Sequence, residues 1–114
     1  LLIEGVGGVM APIDDRMTVL DWMVGLRLPV VMIAGSYLGT ISHTLTALDV
    51  LARRRIDVAA LVINESPVSP VPVAETVAAI ARHWQAAPIA TFARNADAAE
   101  VARLAQTLEQ AMAM

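Results

Sequence analysis

The sequence has no cysteine and no lysine. The lack of cysteine excludes disulfides, thiolate metal sites and thiol nucleophiles, and it suits a cytoplasmic setting. All eight basic residues are arginine, so the chain offers no ammonium group for a phosphate or a Schiff base. Aromatic residues make up only 4% of the chain. No apolar run approaches the roughly 20 residues that cross a bilayer. No basic segment precedes an apolar stretch, so no secretory signal is read. The net charge of −3 argues against a nucleic-acid surface.

What is present is apolar: 57% of the 114 residues are hydrophobic. The length suits one small domain. The longest apolar runs, LPVVMIAG and VAALVI, are strand-sized, which points to a parallel sheet covered on both faces. Leu1–Ile3 reads as the end of a strand and Gly5–Met17 as an irregular loop. Thr18 and Asp21 have capping-box spacing and open a short helix. That helix is carried by Val19, Leu20, Trp22, Met23 and Leu26, and Pro29 closes the turn after it.

Val30–Ala34 is the next expected strand. Ile41, Leu45, Leu48 and Ala52 then mark one helical face, and Arg53–Arg55 complement the dipole in its last turn. Val58–Ile63 is a third strand. The three prolines of NESPVSPVP make a loop. Val73, Val77, Ile80 and Trp84 form another apolar stripe, Pro88–Phe92 a fourth strand, and Val101, Leu104, Ala105, Leu108 and Met112 a terminal helix. Strands alternating with helices predict an α/β fold, a parallel sheet with flanking helices. Ligands of such sheets bind beyond the C-terminal strand ends, which directs attention to residues 4–17, 35–40, 64–72 and 93–97.

Three of these loops could carry chemistry. Glu4-Gly5-Val6-Gly7-Gly8 is not a dinucleotide fingerprint, because Pro12 and a polar stretch separate it from the next helix. A carboxylate at a strand end beside glycines can hold Mg²⁺ next to phosphates. The same spacing also suits a sharp turn with a surface acid. Gly35-Ser36-Tyr37-Leu38-Gly39-Thr40-Ile41-Ser42-His43 leads from a strand into a helix whose free N–H groups can take a carboxylate or phosphate. Its plainer reading is a helix capped by Thr40 or Ser42, with His43 a first-turn residue in a structural hydrogen bond. Asn64 follows VAALVI. Its amide can read an adenine edge or simply start a turn. Asp14 and Asp15 read as charge ahead of a helix and loop solvation.

In this order, IEGVGGVMAPI, LPVVMIAGSYLGTISHTLTALDVL and AALVINES closely resemble the C-terminal half of the dethiobiotin synthetase family. The resemblance runs from Leu2 to about Arg94, and the motif pair E-G-x-G-G and G-x-x-L-G-T-I-[SN]-H-T carries it. It implies an ATP- and Mg²⁺-dependent cyclo-ligase of biotin biosynthesis with a P-loop α/β fold. The enzyme would act on 7,8-diaminononanoate and CO2 as a cytoplasmic homodimer. The diamine becomes a carbamate, ATP phosphorylates it, and the second nitrogen closes the ring. On this resemblance Glu4 matches the Mg²⁺ ligand, and Glu4, Gly5, Val6 and Gly7 the loop beside phosphates and substrate. Asn64 and Glu65 match the adenine site, Pro88, Ile89 and Ala90 a later loop near the adenine, and Tyr37, Leu38, Gly39, Thr40 and Ile41, with Gly7, the substrate site, contributed across the dimer interface.

The family's phosphate loop, catalytic lysines, second Mg²⁺ carboxylate and substrate-contacting serine lie upstream of its E-G-x-G-G motif. None occurs here, and the chain does not begin with Met. Residues 1–114 therefore read as the C-terminal part of a single P-loop α/β domain, inactive alone. Two other readings suit the same elements: an amidoligase of the cobyrinate diamide synthase type, and a partitioning-type nucleotide-switch ATPase. The short SYLGTISHT loop with its immediate helix favours a small-carboxylate site over both.

Overall fold

The computed structural model describes residues 1–113. Its elements are α1 (Val19–Leu26), β1 (Val30–Ala34), α2 (Thr40–Arg53), β2 (Val58–Asn64), α3 (Val73–Ala81), β3 (Ile89–Phe92) and α4 (Ala98–Met112). The three strands form one parallel sheet in the order β1-β2-β3. Met32 pairs with Leu61, and Leu61 with Ile89. No helix among the described residues is long and apolar enough to cross a membrane.

β2 is central, and Ala60, Leu61, Val62 and Ile63 are all buried. This unbroken burial is the mark of a strand covered on both faces. Leu61 and Ile63 pack with Leu48 of α2 and Ile80 of α3, and strand alternation turns Ala60 and Val62 to the opposite face. A second cluster joins Val9, Leu20 and Leu51 beneath Met23 and Met32. The capping box at α1 forms as its spacing predicts: the Asp21 N–H donates to Thr18 Oγ1 and the Thr18 N–H to Asp21 Oδ2. Arg54 reaches Asp21 at 3.5 Å, which sets the start of α1 beside the end of α2 that is remote from Gly39. Asp14 pins the preceding loop by accepting the N–H groups of Arg16 and Met17, both at 2.8 Å.

Several expectations are corrected. Leu1–Ile3 forms no strand. A strand exists only through its ladder, and no described segment pairs with these residues, whose side chains are exposed. The cap of α2 is neither Thr40 nor Ser42. Gly39 holds that position at φ 96° with no side-chain cap bond, a conformation that favours glycine. The third helix ends at Ala81, short of Trp84, which still packs on the main core cluster. β3 begins at Ile89; Pro88, which has no N–H to give, only accepts from Leu61. Of the arginine triplet only Arg53 is helical. The terminal helix forms as expected, but no residue of its stripe is fully buried: Leu104 and Leu108 are half-buried and Val101 is 50% exposed.

Candidate functional site

The loops after β1, β2 and β3 meet at the C-terminal edge of the sheet. The first two are clasped together. Ser36 is almost fully buried. Its N–H donates to Ser66 Oγ at 2.9 Å, and the Ser66 N–H donates back to Ser36 Oγ at 2.9 Å. The Ser36 hydroxyl also hydrogen-bonds that of Ser69 at 2.6 Å. Gly35 makes room for this clasp: a Cβ there would lie 2.7 Å from Ser66 Oγ. Thr40, buried at the start of α2, turns its hydroxyl to the Gly35 carbonyl at 2.6 Å.

Residues Tyr37–Ile41 therefore lie on a turn tied down at both ends. Tyr37 Oη hydrogen-bonds His43 Nδ1 at 3.0 Å, so His43 makes the structural bond expected of it. Leu38 is 84% exposed. No side chain caps α2; the Thr40 N–H donates to the Tyr37 carbonyl and the His43 N–H to the Gly39 carbonyl, both at 3.1 Å, which leaves the N–H groups of Ile41 and Ser42 as the orphan donors of this helix start.

Asn64 is the last residue of β2, exposed, and paired in register with Phe92 of β3. Beside it Glu65, Val73, Phe92, Ala93 and Glu100 line a recess of about 100 Å³. The Glu65 N–H donates to the Phe92 carbonyl, and Glu65 Oε1 accepts from the Arg94 N–H at 3.3 Å. Glu100 Oε1 accepts the Ala93 N–H at 2.7 Å. Pro88, Ile89 and Ala90 are not part of this cluster. Ile89 and Ala90 pair with Leu61 and Val62, toward the beginning of the strands. Pro88 instead borders a larger cavity of about 450 Å³ with Asp57, Thr107 and Gln110. The loop beyond the C-terminal end of β3 begins at Ala93.

Glu4, Gly5, Val6 and Gly7 are all exposed. Gly5 lies against Val19 of α1, and among the described residues no hydrogen bond or ion pair joins Glu4 to the loops after β1 and β2. No group of three or more His, Cys, Asp or Glu among the described residues could hold a metal. One carboxylate fits Mg²⁺ only as a single donor in a shell completed by phosphate and water. The residues present thus offer a metal one carboxylate, and they contain no phosphate-binding loop.

Sequence reasoning did not single out Ser36, Ser66 or Ser69. Ser36 and Ser66 lie 30 residues apart, and no periodicity reports such a pair. Glu100 did carry a local signal, since Asp97 and Glu100 have the spacing of a helix start. The Asp97 side chain does accept the Glu100 N–H, but the Glu100 carboxylate reaches Ala93 instead of closing the box.

A family profile described as an AAA domain matches residues 1–107. The ATP-dependent dethiobiotin synthetase BioD of Acidiphilium cryptum is 50% identical over 92 residues, 81% of this chain and 41% of that protein. Its namesake in Phenylobacterium zucineum is 48% identical over 108 residues, 94% of this chain and 46% of that protein. The one in Caulobacter sp. is 45% identical over 113 residues, 99% of this chain and 48% of that protein. The chain spans less than half the length of these curated relatives. With a parallel α/β sheet and a profile match along nearly its whole length, the chain belongs to this AAA-domain family, and the relatives it resembles there are dethiobiotin synthetases.

Proposed function

We propose that this chain is the C-terminal part of a cytoplasmic, homodimeric dethiobiotin synthetase that uses ATP, Mg²⁺ and CO2 to close the ureido ring of 7,8-diaminononanoate. The observation that carries this reading is the start of α2. It lacks a side-chain cap, stands at the C-terminal edge of the sheet and is preceded by a glycine turn held from both sides. These features suit a small carboxylate better than a polyphosphate.

When bound, Mg²⁺-ATP supplies the phosphoryl group and neutralises its developing charge. The residues of this chain bind and orient. Asn64 and Glu65 face the base. The N–H groups of Ile41 and Ser42 take the substrate carboxylate, remote from the diamine, and so fix where the two nitrogens lie. Glu4 provides one oxygen ligand for the metal. The exposed Leu38 and Tyr37 support a dimer contact beside that carboxylate. A nucleotide switch has no small carboxylate substrate for this turn, and an amidoligase would present its carboxylate for reaction, whereas this short turn and immediate helix suit a carboxylate held away from the reacting atoms.

The test is ATP- and Mg²⁺-dependent incorporation of labelled CO2 into 7,8-diaminononanoate by the full-length protein that carries this segment. Release of phosphate without labelled product would reject the synthetase reading.

A further inference from the structure

We propose that Ser36, Ser66 and Ser69 are positioning residues that couple nucleotide binding to substrate binding by holding the loops after β1 and β2 as one unit. This inference rests on the functional reading above, because it needs a base at Asn64 and a carboxylate at the start of α2.

The clasp has the chemistry for such a role. Ser36 immediately precedes Tyr37, and Ser66 lies two residues after Asn64. Two reciprocal N–H to hydroxyl bonds of 2.9 Å join them. Each serine therefore satisfies the other's main chain, so neither loop can shift without leaving a part-buried N–H unpaired. Ser69 extends the clasp to the proline-rich segment through its 2.6 Å bond to Ser36, and the Thr40 hydroxyl carries it into α2 through the Gly35 carbonyl. The clasp residues lie beside the proposed base and carboxylate contacts and are not among them. Gly35 leaves Ser66 Oγ space that any side chain would take, so the close approach is built into the backbone. A base ordering residues 64–66 thereby orders the turn at 37–39, and a carboxylate at α2 orders the base loop in return. Such coupling is reciprocal.

The experiment measures the affinity of a non-hydrolysable ATP analogue for the full-length enzyme, with and without saturating 7,8-diaminononanoate. In the parent enzyme the diamine should tighten the analogue about fivefold or more. In Ser36→Ala this ratio should fall to about one, while each ligand alone binds within about threefold of the parent value, as expected when coupling rather than intrinsic contact is lost. Ser69→Ala should reduce the ratio and Ser69→Thr, which keeps the hydroxyl, should restore it. If Ser36→Ala does not fold, the Ser69 pair decides by the same criterion. A parental ratio in a folded alanine variant overturns the inference. A parent enzyme that turns over but shows no coupling overturns it while the functional reading stands. A parent that binds neither ligand overturns both.

Discussion

Ser36 and Ser66 each donate the main-chain N–H to the other's hydroxyl, at 2.9 Å in both directions. A buried main-chain N–H takes its partner from main chain, side chain or water. These two loops satisfy each other, at the sheet edge where α/β folds place ligands. The pairing joins the turn before α2 to the residues after β2, so the proposed carboxylate and base sites share a frame.

Asn64 stands exposed at the end of β2, opposite Phe92. In the full-length enzyme, Asn64→Ala should blur the preference for ATP over GTP by about 10-fold or more, as expected for one bidentate base contact. Competition assays with the two nucleotides measure it. An unchanged ratio assigns base reading to another residue.

Glu4 is the only carboxylate in the segment Glu4–Gly8, and no group of three or more His, Cys, Asp or Glu among the described residues could hold a metal. Glu4→Ala in the full-length enzyme should lower Mg²⁺-dependent turnover about 10²-fold or more, the scale of losing one transition-state charge contact. A Mg²⁺ titration of the rate is the measurement. Near-parental activity removes Glu4 from the metal shell.

Asp21 is held below the ordinary aspartate value of 3.8 by the Thr18 N–H, then the Thr18 hydroxyl, with Arg54 adding to them. Asp14 is lowered likewise by the N–H groups of Arg16 and Met17. A depressed folded value means stability that is present above 3.8 and is lost as pH falls through the lowered value. Thr18→Ala removes the hydroxyl and keeps the N–H, so it should move Asp21 part of the way toward 3.8 and remove only the hydroxyl's share of this acid sensitivity. Carboxyl NMR titration of Asp21 reads the shift directly, and no movement would contradict the capping-box origin.

Met32 and Ala34 of β1 pack on the main core cluster, while Ile33 points to the other face and is 57% exposed. β1 is also an edge strand. An uncovered apolar edge invites association. The 114-residue chain by itself should therefore self-associate, and Ile33→Lys should shift it toward monomer in size-exclusion chromatography with light scattering; with no phosphate loop and no lysine it should also show no ATPase activity. A monodisperse parent chain, or clear ATP turnover by it, would contradict this.

The parallel α/β order was readable from the chain because its signals are local. Val30–Ala34 and the run ending at Ile63 are continuous apolar stretches of strand length, and Thr18 and Asp21 sit three residues apart in the spacing their mutual bonds require. Leu1–Ile3 carries the same apolar signal and forms nothing, since a ladder needs a neighbour as well as a pattern. Gly39 displaced the expected caps because a left-handed φ is a property of the turn, and it frees the Thr40 hydroxyl to reach Gly35.

The site divides in the same way. Residue types alone placed Asn64, Glu65 and the turn at 37–41 at strand ends, because a strand's length determines where its loop begins. Sheet register decided the rest. It put Phe92 beside Asn64 and carried Pro88–Ala90 toward the other end of β3, a separation visible only once the strands are aligned. The Ser36–Ser66 clasp belongs wholly to the tertiary structure. Its partners lie 30 residues apart in loops without periodicity, and only parallel pairing of β1 with β2 brings each main-chain N–H within reach of the other's hydroxyl.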